Sequence, residues 1–225
     1  MIIKSSNIAE TPIELDGVRL KKIVHGMRRH FDVQEKLREK VLELSREVIR
    51  ASSRAIAAMH RGDLGTIRKE MSRANSSLSA LVKAVKKDPA WMDSGLVQSA
   101  YQEYCEARIV QALIVKGKFL NPKELKAPYK AYLGGMADAA GELRRYALDS
   151  IRADKVEAAE RALRHMEDIL DLLMSFDYPD AILPGMRRKQ DMVRQVLERT
   201  RGDLTAAIRQ QRLERALEHA KRRAK

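Results

Sequence analysis

The chain has 225 residues, a formal net charge of +13, a single Cys and only 4% aromatic residues. One thiol excludes an intrachain disulfide or a thiolate zinc cage, and no apolar run approaches the roughly 20 residues of a membrane span. These features point to a cytoplasmic protein without a membrane partner. Ala, Leu, Arg, Lys, Glu and Met dominate while Gly (11) and Pro (6) are scarce, the signature of an all-α chain, read here as a single domain over 1–225 with residues 1–15 and 220–225 flexible. The basic excess sits in 1–61 and 187–225, whereas 62–186 is balanced, so a polyanion is the leading partner class.

The first element follows Asp16-Gly17. Val18, Leu20, Ile23, Val24, Met27 and Phe31 start an apolar series in steps of three and four that continues through Leu37, Val41, Leu44, Val48 and Ile56 to Met59. This predicts one very long helix stopped by Gly62, with a break near His30 left open by the capping pair Asp32 and Glu35. Asp63 caps a second helix that reaches Lys86-Lys87. Pro89 opens a third, running to about Gly117, and Asn121-Pro122 starts a short turn. A fourth helix spans about Pro128 to Ile151. A capping box of Asp154 and Glu157 opens a fifth, which ends before Tyr178-Pro179. Pro184 opens a sixth helix that stops at Arg201-Gly202, and Asp203 caps a seventh. Seven helices in a bundle-like fold are expected, with neither strands nor a glycine-rich phosphate loop.

Chemistry concentrates on the third and fourth of these helices. Glu103 and Glu106 head a stripe that continues with Val110, Leu113 and Ile114, and Asp138 and Glu142 lie one turn apart on the fourth helix. Acids on a core-facing stripe must be paired, protonated or bound to a cation, so converging carboxylates suit Mg²⁺ or Mn²⁺, whose bound water can attack a phosphodiester. A solvated helix surface is the alternative reading of Glu103 and Glu106. Gly134-Gly135 beside the acids means that something approaches that backbone closely, either a packed helix or a substrate strand. No His is preceded by Glu at three residues, which excludes the di-iron bundle, and Cys105 reads as a buried structural thiol.

Three segments resemble the translin superfamily, and within it the branch of translin-associated factor X (TRAX). They are LREKVLELSREVIRASSRAIAAMHR at 37–61, YQEYCEA at 101–107 and YLGGMADAAGELRR at 132–145. The resemblance covers about 31–205 and implies a translin fold of seven helices that assembles into a hollow, octamer-like shell around single-stranded RNA or single-stranded DNA. For TRAX-like members it further implies a Mg²⁺-dependent endoribonuclease, with Glu103, Glu106 and Asp138 as the signature acids and Glu142 as a further ligand. The short connection Lys118–Lys126 suits a homo-oligomer, with a translin-type partner chain as the other arrangement. Non-catalytic binding of single-stranded nucleic acid, as in translin itself, is the second function that the resemblance allows.

Arg46, Arg50 and Arg54 recur every four residues on the first helix and Arg145 follows the acids on the fourth, a spacing suited to a phosphate backbone or to ion pairs with Glu43 and Glu47. Tyr101, with Tyr104 and Tyr132, is placed either to stack bases or to fill the core.

Overall fold

A computed structural model describes residues 14–86 and 88–223. The first apolar series forms one uninterrupted helix, α1 (Glu14–Arg61), because no proline interrupts it and Asp32 lies within the helix rather than capping a new one. Gly62 ends it at φ 70°, a left-handed conformation that glycine adopts without steric penalty. Asp63 then accepts from the Thr66 amide at 3.0 Å and opens α2 (Leu64–Val85).

The chain divides into two units, Met1–Lys40 and Val41–Lys225. In the first, Val18, Leu20, Ile23, Met27, Phe31 and Val33 are all more than half exposed. In the second, Val41, Ser45, Val48, Ala51, Ser52, Ala55 and Ala58 of α1 are buried, at the helical spacing that places them on one face.

Pro89 does not open a long helix. Asp88 makes no side-chain cap there, so Pro89–Asp93 is a single 3₁₀ turn, and the helix proper, α3 (Gly95–Lys116), starts where the Ser94 hydroxyl accepts from the Val97 amide. Gly117 at φ 61° ends it where expected. The turn at Asn121-Pro122 is one turn of helix, α4 (Pro122–Leu125), closed by a reciprocal capping box between Asn121 and Glu124. Pro128 leads into α5 (Tyr129–Arg152).

Two expected boundaries are corrected. Asp154 does not cap the next helix: it stands at φ 55° in the connecting turn, and α6 (Val156–Met174) begins after Lys155 with no side-chain cap. Gly202-Asp203 does not separate two helices either, since α7 runs unbroken from Met186 to Arg223. Val193, Leu197, Thr200 and Leu204 are all buried and keep one register across Gly202, while Asp203 is drawn into an ion pair with Arg144 at 2.9 Å. Tertiary packing thus outweighs the local stop signal. The described chain therefore has seven helices and no strand, with the short α4 making up the number where one expected boundary is absent. Of the expected flexible ends, residues 220–223 are helical, and 1–13, 224 and 225 lie outside the described residues, as does Lys87.

α5 is the central element, packed against α3, α6 and α7. Leu133, Met136, Ala140, Leu143 and Ala147 are buried as the sequence implies, and Ala131, Gly134, Gly135, Ala137 and Ala139 are buried too. A helix with neighbours on several sides needs small residues on more than one face. Among the described residues, no helix is long and apolar enough to cross a membrane.

Candidate functional site

The site is built where α3 crosses α5. A Cβ on Gly135 would lie 2.5 Å from the Gln102 carbonyl oxygen, 2.8 Å from the Glu106 amide nitrogen and 2.9 Å from the Cys105 Cβ. The close approach that the glycine pair implies is therefore a packed helix, α3. A Cβ on Gly134 would meet the side chain of Gln102. Glycine at these positions brings the α3 backbone directly onto α5 and sets Glu103 and Glu106 opposite Asp138 and Glu142.

Each acid has a different environment. Both oxygens of Asp138 are engaged, one by the Lys189 ammonium of α7 at 2.7 Å and the other by the Gln102 amide at 2.6 Å. Glu142 is held by His60, from the end of α1, at 2.6 Å, with Asp149 facing the other ring nitrogen at 3.7 Å. That hydrogen bond holds the Glu142 carboxyl below the usual range. Glu103 is half-buried, and burial together with the Asp138 charge raises its pKa. Glu106 is only 8% exposed and has neither hydrogen bond nor ion pair among the described residues. Burial first, then the charges of Glu103, Asp138 and Glu142, push it up to about 8.

Carboxylate oxygens are the donors that a hard divalent cation takes. The charges of Glu103, Asp138 and Glu142 bear on Glu106, which burial and like charge disfavour most in its ionised form, so it gains most from a positive charge. Among the described residues, no three acid, His or Cys side chains lie close enough together to hold an ion, and Lys189 and Gln102 occupy the oxygens of Asp138. Asp138 would have to exchange one of these partners before sharing an ion with Glu103 and Glu106.

Three residues of the site were missed in the sequence. His60 lies in the segment resembling TRAX but lacks the di-iron spacing, Lys189 sits in a basic run, and Gln102 is neutral. Their partners come from 36 to 82 residues away in the chain, so short-range spacing carried no signal.

Arg46, Arg50 and Arg54 are exposed along α1, in keeping with either expected role, and Arg50 pairs with Glu47 at 3.0 Å. Glu47 is also paired with Arg73 of α2. Arg145 is exposed, and its charge helps to lower the pKa of Glu142. The stacking role for Tyr101 is corrected: its ring is 4% exposed within the core, where no base can reach it. Tyr104 and Tyr132 are buried too, their hydroxyls donating to Asn75 and to the Leu120 carbonyl. Cys105 is buried against α5 with its thiol pushed up to about 12, an inert structural thiol as read.

The fold and site define an all-helical protomer that carries a carboxylate cluster between two tightly packed helices. The chain belongs to the translin family, whose sequence profile matches residues 36–201. It is 32% identical over 190 residues to an uncharacterized protein of Methanocaldococcus jannaschii, covering 84% of this chain and 83% of that one. It is also similar to two structures of AfC3PO, each with a TM-score of 0.76 over 82% of this chain. One is a complex with duplex RNA (35% identity, 95% of that chain) and the other is a crystal structure of AfC3PO (36% identity, 96% of that chain). Apo-NeC3PO, at 20% identity and a TM-score of 0.75, shares the fold.

Proposed function

We propose that this protein is a TRAX-like, divalent-metal-dependent endoribonuclease that cuts single-stranded RNA inside a self-assembled helical shell. Glu106 carries the reading: a side chain only 8% exposed, set among three other acids whose charges and whose burial disfavour its ionised form, is stabilised by a cation more than by any contact within the fold. Glu103, Glu106 and Asp138, with Glu142, would hold Mg²⁺ or Mn²⁺, which when bound activates a water and polarises a phosphodiester. His60 fixes the Glu142 carboxylate, and Gln102 fixes that of Asp138, so the two α5 acids are oriented in advance. Arg46, Arg50 and Arg54 would track the phosphate backbone, with Arg145 near the acids. The AfC3PO complex with duplex RNA supports RNA as the ligand class. The exposed apolar residues between Val18 and Val33 support self-association, which would cover them.

A second reading is a non-catalytic, translin-like binder of single-stranded RNA or DNA, and one observation favours it: Lys189 already neutralises Asp138. End-labelled single-stranded and duplex RNA, incubated in Mg²⁺, in Mn²⁺ and in EDTA beside a Glu103→Ala/Glu106→Ala variant of equal assembly mass, separates the two. Metal-dependent cutting that the variant lacks is the expected outcome. Tight binding without cutting by either protein moves the assignment to the binder.

A further inference from the structure

Lys189 is a cation delivered to the acid cluster from outside the two helices that carry the acids. Its backbone is anchored. The neighbouring Gln190 is buried and donates to the Leu173 and Phe176 carbonyls at 2.8 and 3.1 Å, tying the start of α7 to the end of α6. From that anchor the ammonium reaches 2.7 Å from Asp138 Oδ1 and 3.4 Å from the Gly134 carbonyl. It also acts on Glu103 and Glu106, where its charge opposes the upward shifts that burial and like charge impose. Among the described residues, Asp138 is its ion-pair partner.

The side chain is 26% exposed and borders a second space. A cleft of about 370 Å³ opens beside the acids, its lining including Lys130 and Lys189, the amides of Gln98 and Gln102, and one acid, Asp93. Lysine has a flexible four-carbon stem and a point charge, so its ammonium can exchange one anion for another without moving the helix that carries it. A divalent ion brings twice the charge and takes carboxylate oxygens at roughly 2.0–2.1 Å, closer than an ammonium can approach.

We infer that Lys189 is the built-in countercation of the acid cluster, which a divalent ion displaces from Asp138, and that the displaced ammonium then contacts a nucleic-acid phosphate in the adjoining cleft. The inference rests on the metal-site reading above. It assigns to one side chain both the stability of the metal-free cluster and the coupling of ion loading to capture of a polyanion.

The test titrates MnCl₂ by calorimetry into the full-length wild type, Lys189→Met and Lys189→Gln. The Gln variant can still hydrogen-bond Asp138 but lacks the charge, so it covers the case in which the Met variant folds poorly. With the competitor removed, the Kd for Mn²⁺ falls by about tenfold or more in either variant. The metal-free variants melt below the wild type and gain more from added Mn²⁺. With Mn²⁺ present, the salt dependence of single-stranded RNA binding loses roughly 0.7 in log–log slope, the share of one phosphate contact. Unchanged or weakened Mn²⁺ affinity in folded variants, where the wild type binds Mn²⁺, overturns the displacement alone. An unchanged salt slope overturns the phosphate contact. No Mn²⁺ binding by any of the three proteins overturns this inference and the metal-site reading together.

Discussion

Replacing Gly135 by Ala tests the geometry on which the site depends. The added Cβ would meet the Gln102 carbonyl oxygen at 2.5 Å and the Glu106 amide nitrogen at 2.8 Å, both backbone atoms that cannot rotate aside. To reach ordinary contact, α3 and α5 must separate locally by about 0.5–0.9 Å. Overpacking of this kind costs about 1–3 kcal/mol, and three simultaneous contacts place it near 3. Alanine returns about 1 kcal/mol of helix propensity, leaving a net loss of about 2 kcal/mol and, for a chain of this size, a melting temperature lower by about 4–8 °C. Gly141→Ala on the same helix is the matched control, because nothing lies within 4 Å of its Cβ and the position is exposed. It gains the propensity without the clash and melts about 2–4 °C higher. Thermal unfolding followed by circular dichroism measures both, and under the proposed nuclease function the separation of Glu106 from Asp138 further predicts less Mn²⁺-dependent cleavage in Gly135→Ala than in Gly141→Ala. A Gly135→Ala protein that melts at or above the wild type would refute the close packing of α3 on α5.

Glu106→Gln removes the buried acid while keeping its shape. Because the Glu106 pKa is raised from 4.5 to about 8, the native state holds a proton that the unfolded chain has lost between those values. Metal-free stability should therefore fall as pH rises from about 4.5 to 8 and level off above, by a few kcal/mol at most. The Gln variant should lose the larger part of that slope, Glu103 keeping a share because its pKa is raised too, and exceed the wild type at pH 8, in urea titrations at several pH values; an undiminished slope would assign it to another group. His60→Ala leaves Glu142 without its donor, at a cost of about 1–3 kcal/mol, and a double-mutant cycle with Glu142→Gln should return a coupling above about 0.5 kcal/mol. Additive effects would mean that the two side chains do not interact in solution. The triple variant Arg46→Ala/Arg50→Ala/Arg54→Ala should melt like the wild type, since all three side chains are exposed, yet lose roughly 2 units of log–log salt slope in single-stranded RNA binding. A variant that keeps its slope would leave these arginines to surface ion pairs such as Arg50 with Glu47.

Much of α1, α2 and α5 could be read from the sequence because their signals are local. Apolar steps of three and four, Gly62 at a left-handed stop and Asp63 at a cap act within a few residues. The acids were legible for the same reason, since Glu103 with Glu106 and Asp138 with Glu142 each share a face by helical spacing. Where local signals competed with burial they failed. Gly202-Asp203 looks like a helix boundary, yet the buried stripe through Thr200 and Leu204 keeps α7 continuous and gives Asp203 to Arg144. Tyr101 likewise could not be sorted between base stacking and core until its neighbours were in place.

The sequence by itself determined an all-helical chain, its long first helix, its two acid-bearing helices and a glycine pair that demands a close neighbour. Only the tertiary structure decided that the neighbour is α3, that Glu106 is largely buried among three other acids, and that His60 and Lys189 arrive from α1 and α7 to hold two of the acids. The physical reason is range: periodicity and capping act over three or four residues, whereas desolvation and charge pairing depend on distance in space between groups far apart along the chain.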